Sequence, residues 1–177
     1  MRTLLLFVLS LGSAMALTLD SPIPAVTIPV EKGGYVAGGA FATADFVGQT
    51  SILMFVDPDN GDEGKNMNEA IKTARVAGRI RREDYKSFVL IDMASTWKPN
   101  FAIASALESK QKEFPYTRFI KDSESITSKA WGIEEGGYTC IILDAQGVVR
   151  FAKRAPFSDA DTREAVELLV RLTHPIE

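Results

Sequence analysis

The chain has 177 residues, 46% of them hydrophobic and 24% charged, with 20 Lys and Arg against 23 Asp and Glu for a formal net charge of −3. That length and apolar content suit one domain with a sizeable core, and the mildly acidic balance argues against a duplex nucleic-acid partner, which needs a clustered basic face. One cysteine and one histidine, Cys140 and His174, exclude an intrachain disulfide and support neither a zinc site nor a Ser/His/Asp or Cys/His triad.

Arg2, the apolar run 4–11 and the small residues Ala14 and Ala16 form the pattern of a secretory signal peptide. The run falls short of the roughly 20 residues that span a bilayer. Cleavage is expected after Ala16, with residues 17–177 as the single exported domain. The membrane then matters only to the signal peptide before its removal, a retained anchor being the alternative reading.

Residues 17–24 carry two prolines and read as an extended lead-in. Val26, Ile28 and Val30 alternate, Glu31-Lys32-Gly33-Gly34 supplies a turn, and Tyr35-Val36 returns, so a short N-terminal hairpin is expected. Residues 41–48 connect it to Ser51–Val56, a continuous apolar run of the kind covered on both faces. Past an acidic loop, Met67, Ala70, Ile71, Ala74 and Ala77 recur at helical spacing, and Gly78 weakens the last turn. The basic run Arg75–Arg82 closes that helix and reads as a solvated end that complements the helix dipole.

Phe88–Met93 is a second buried strand. Pro99 belongs in the first turn of a helix that carries Phe101, Ala104, Leu107 and Gln111 and stops before Pro115. A short strand at Tyr116–Ile120 and a short helix at Ser123–Trp131, closed by Gly132, follow. Tyr138–Leu143 and Val148–Ala152 form a hairpin across Asp144-Ala145-Gln146-Gly147. Ser158 and Asp161 make a capping box for the last helix, whose buried stripe is Ala165, Leu168, Leu169 and Leu172, with Pro175 at its end. Alternating strands and helices imply a parallel half-sheet, and the hairpin adds an antiparallel half. The expected fold is α/β and thioredoxin-like: a central mixed sheet flanked by helices, with an N-terminal hairpin extension and a strand and helix inserted before the final hairpin.

The segment 106–131, with Leu107-Glu108-Ser109, Phe114-Pro115-Tyr116, Phe119-Ile120, Asp122-Ser123 and Ala130-Trp131, resembles the YtfJ-type family of small periplasmic bacterial proteins. The likeness continues through Ile141-Ile142-Leu143-Asp144, Gly147 and Phe151-Ala152-Lys153, and is looser toward the N-terminus. The resemblance implies a periplasmic, thioredoxin-fold protein without the cysteine pair, of no established role. It offers no catalytic residues to carry over.

A redox-active thioredoxin-type domain places a Cys-x-x-Cys pair where its first central strand meets a helix. Here that junction is Val56-Asp57-Pro58-Asp59-Asn60-Gly61-Asp62-Glu63. Dithiol exchange needs an attacking thiolate and a second thiol. The position of the facing proline is taken by Tyr138, so both halves of a redox centre are absent from the sequence. Cys140 sits on a central strand and reads as a small core residue, against the alternative of a thiol-dependent oxidoreductase or peroxidase that uses it. Asp57, Asp59, Asp62 and Glu63 read as dipole-complementing and solubilising, with Asp57 and Asp59 as weak candidates for a divalent cation. Gly61 and Asn68 spoil a calcium-loop register. Trp97, in a polar stretch near the same sheet end, is expected to pack on its own domain or, if exposed, to anchor a partner. Trp131 is expected in the core. No cofactor is implied. The leading expectation is a non-redox binding or scaffold protein whose partner, an envelope protein or peptide, docks on Asp57, Asp59, Asp62, Glu63, Trp97 and Tyr138.

Overall fold

In the computed structural model the described residues are 16–174, so Pro175 and all of the expected signal peptide except Ala16 lie outside them. The first strands pair differently from the expected hairpin. β1 (Thr27–Ile28) pairs antiparallel with β3 (Phe41–Ala42), setting Ile28 opposite Phe41. Between them β2 (Gly33–Tyr35) leaves for the edge of the main sheet, where it pairs antiparallel with β6 (Thr117–Asp122). The reason lies at Gly33, whose φ is 133° and where a Cβ would stand 2.1 Å from the Lys121 carbonyl oxygen. Residues that look like a local turn instead allow close approach to a distant strand.

The six-stranded sheet runs β2-β6-β5-β4-β7-β8, with β4 (Ser51–Val56), β5 (Lys86–Asp92), β7 (Tyr138–Leu143) and β8 (Val149–Arg154). β4, β5 and β6 are parallel, while β7 runs antiparallel beside β4 and β8 antiparallel beside β7. All six residues of β4 and of β7 are buried, as their unbroken apolar runs require in strands covered on both faces.

One face of the sheet carries α1 (Lys65–Val76), α2 (Asn100–Glu113) and α4 (Asp159–Thr173), through Met67, Ile71, Ile103, Leu107, Ala165 and Leu169. Ser158 accepts from the Asp161 backbone N–H while Asp161 caps in return, the expected box at the start of α4. α1 packs against α4. The other face is covered by α3 (Ile126–Trp131) and the segment that bears Ile23, Val26, Ile28, Phe41 and Phe46. Trp131, 1% exposed, closes this second core. Its indole N–H donates to the Pro24 carbonyl at 3.0 Å, which ties the proline-rich lead-in to α3. Gly132 ends α3 with φ 64°, a left-handed cap. Among the described residues no helix is long and apolar enough to cross a membrane.

Candidate functional site

β4 delivers Val56 to its C-terminal end, where open sheets of parallel strands place their ligands. The chain then enters the acidic loop. Asp57 is 4% exposed, and its carboxylate accepts the Asp59 backbone N–H at 2.8 Å. Its own N–H donates to the Gly137 carbonyl at 2.9 Å. It is therefore a turn-forming residue beneath the surface. Asp59 pairs with the Lys98 ammonium at 2.5 Å and accepts the Thr96 hydroxyl at 2.6 Å. Lys98 first, then Thr96, holds its carboxyl below the usual range. Asp62 pairs with Lys65 at 3.1 Å, and Glu63 accepts the Asn60 amide at 2.7 Å. Asp57 and Asp59 thus serve different partners. Among the described residues no group of three or more His, Cys, Asp or Glu is placed to hold a metal ion.

Tyr138 stands opposite Val56 in the β4–β7 register. It is 3% exposed, so it does not lie on the docking face expected of it. Its ring lies against Gly64, the residue before α1, where a Cβ would come within 2.1 Å of the ring. Its hydroxyl donates to Asn68 Oδ1 at 3.3 Å, and Phe157 packs edge-on at 6.0 Å. Burial pushes the phenol pKa up. The cleft that would separate the helix start from the facing strand is therefore filled by an aromatic ring.

Cys140, opposite Met54 and Lys153, is wholly buried, and burial pushes its thiol pKa up. Sealed from solvent, the thiol packs as a small core group. Trp97 departs from the packing expected of it and is 86% exposed. Its neighbours Thr96 and Lys98 are both pinned to Asp59, which leaves the indole outside.

A pocket of ≈ 460 Å³ opens beside this end, lined by Asp62, Glu63, Asn66, Gly136, Arg154 and Phe157. Arg154 donates to the carbonyls of Glu134, Glu135 and Gly136 and pairs with Glu134 at 3.2 Å, fixing the loop that precedes Tyr138. The structure thus gathers Asp62, Glu63 and Gly136 into one pocket, while Asp59 and Trp97 do not line it.

Sequence reasoning passed over two buried carboxylates at the ends of neighbouring parallel strands, Asp92 and Asp122, paired in register. Asp122 accepts the backbone N–H groups of Ile126 and Thr127 at 2.9 and 2.8 Å and the Thr127 hydroxyl at 2.5 Å, so it caps α3 from outside. Asp92 accepts the hydroxyls of Ser125 and Ser128 at 2.7 and 3.0 Å. Burial, and secondarily the charge of Asp122, raise its pKa. The signal available in the sequence was an Asp at the close of an apolar run, followed by a Ser/Thr-rich helix start.

Residues 30–172 match the model of a family described as a bacterial protein of unknown function, YtfJ_HI0045. The chain is 28% identical over 134 residues to the uncharacterized protein YtfJ of Escherichia coli strain K12, covering 73% of this chain and 70% of that one. It is 25% identical over 165 residues to an uncharacterized protein of Haemophilus influenzae, covering 89% and 88%. Among solved structures it resembles a putative protein disulfide isomerase from Bacteroides thetaiotaomicron, with TM-score 0.62 and 15% identity over 89% of this chain and 91% of that one. It also resembles a putative thiol:disulfide interchange protein DsbE from Chlorobium tepidum, with TM-score 0.60 and 18% identity over 89% and 99%. These likenesses establish a thioredoxin-like fold and, at such identities, only the fold.

Proposed function

The chain belongs to the YtfJ_HI0045 family of bacterial proteins of unknown function, and from that premise we propose that it is an exported, periplasmic binding protein on a thioredoxin-like scaffold with no redox role of its own. The observation that carries this reading is the state of the one sheet end where a redox centre would sit. Asp57–Glu63 occupies the strand-to-helix junction, the Tyr138 ring fills the space facing it, and the single thiol is sealed in the core. Trp97 stands exposed beside the Asp59–Lys98 pair, the kind of aromatic that anchors an interface. Its partner is an envelope protein or peptide.

Two measurements test the reading. Insulin reduction by dithiothreitol should proceed at the buffer rate with the protein present; acceleration that Cys140→Ser removes would overturn the non-redox reading. Crosslinked partners should be captured from periplasm by the native protein and lost from a Trp97→Ala/Asp59→Ala variant of unchanged Tm. Identical partner sets would remove that surface from the proposal.

A further inference from the structure

α1 packs on α4 and is not packed closely against α2 on its other side. The result is a groove of ≈ 580 Å³ between α1 and α2. Its floor is made of alternate residues of three strands: Ile52, Met54 and Val56 from β4, Val89 and Ile91 from β5, and Phe119 from β6. From Ile52 to Val56 it runs about 13 Å along the sheet at the usual strand rise. Ile71 and Leu107 form apolar walls. The volume lies in the range of small-molecule sites, about 300–1,000 Å³.

The two ends of the groove differ in charge. Arg75 is in the last turn of α1 and Arg82 lies just ahead of β5, so both stand where β4 and β5 begin; Asp62 and Tyr138 line the opposite end. The other charged lining residues are already matched, Lys72 with Glu69, Lys110 with Glu113 and Asp62 with Lys65, each at 3.1 Å. Among the described residues neither Arg75 nor Arg82 pairs with a carboxylate, and the Arg75 Nε is buried with no hydrogen-bond partner. A buried guanidinium donor without an acceptor is costly and matches a planar anion. The floor residues other than Val89 are only 2–7% exposed, so the groove is narrow and a ligand enters it by moving the flexible side chains along its walls.

We propose that this groove binds a single-chain aliphatic carboxylate, with its head on Arg75 and Arg82 and its alkyl chain along β4 toward Val56. The site is separate from the partner surface at Trp97. Titration calorimetry of the purified protein with dodecanoate should show one saturable site. Dodecanol, which keeps the chain and lacks the charge, should bind at least about tenfold more weakly, and Arg75→Met should weaken dodecanoate by a similar factor without lowering Tm. Trp97→Ala should leave dodecanoate binding unchanged, so the groove and the partner surface are tested apart. Absence of saturable dodecanoate binding, or equal binding of acid and alcohol unaffected by Arg75→Met, would overturn the proposal.

Discussion

At the scale of single residues, the decisive contact is between Tyr138 and Gly64. Gly64 has φ −86°, which any residue adopts, so its lack of a side chain serves only the approach of the ring. Gly64→Ala is expected to cost about 1–3 kcal/mol by overpacking. Tyr138→Ala leaves a void and should cost about 3–5 kcal/mol, as for other large aromatics. The two together should cost clearly less than their sum, because the new methyl enters the space the ring has left. Thermal unfolding of the three variants measures this, at about 2–4 °C of Tm for each kcal/mol. Strict additivity would mean that the ring and the glycine are not coupled.

At the scale of elements, α3 depends on a carboxylate outside it. Asp122→Ala removes the acceptor of three backbone N–H groups, those of Glu124, Ile126 and Thr127, and of the Thr127 hydroxyl, and is expected to cost about 2–3 kcal/mol. Asp92, its neighbour in register, acts in the opposite sense. Its folded-state pKa is raised, so between the ordinary carboxylate value and the raised one the folded chain binds more protons than the unfolded chain. Stability from this group therefore falls as pH rises through that window. Asp84 and Asp161, held low chiefly by Arg81 and by the Ser158 backbone N–H, have the reverse dependence and lose their contribution as pH falls through their folded values. Asp92→Asn keeps an acceptor for Ser125 while deleting the titration. Its Tm should match the parent in acid and exceed it near neutrality; a constant offset at all pH values would assign the effect to packing instead.

The same elements show where reading a sequence succeeds. β4, β5, α1 and α4 carry their signals locally, as unbroken apolar runs, helical spacing and the Ser158–Asp161 box. What the residues near Gly33 do depends on Lys121, nearly ninety positions away, and no local pattern distinguishes a turn from a strand docking on a distant edge. The candidate site divides the same way. The absence of a thiol pair was legible in the residues themselves. The burial of Tyr138 was not, because it depends on Gly64, at the start of α1, lying over its ring, and neither was the exposure of Trp97, which follows from Thr96 and Lys98 both reaching for Asp59.

For the whole molecule, the lean of α1 toward α4 sets how stability is distributed. α2 is left holding the far wall of the groove with only Ile103 and Leu107 buried, while Phe101 at its start is 78% exposed. α1 buries Met67, Ile71 and Ala74 and gains a neighbouring helix as well. With fewer apolar contacts to break, α2 should open on its own, below the cost of global unfolding. Its amides are expected to exchange with deuterium well before those of α1 and β4, and an occupied groove should slow α2 selectively. If α2 opens in this way, the scaffold is a rigid half joined to a looser wall, and ligand entry and α2 exchange should respond together to substitutions that loosen Ile103 or Leu107.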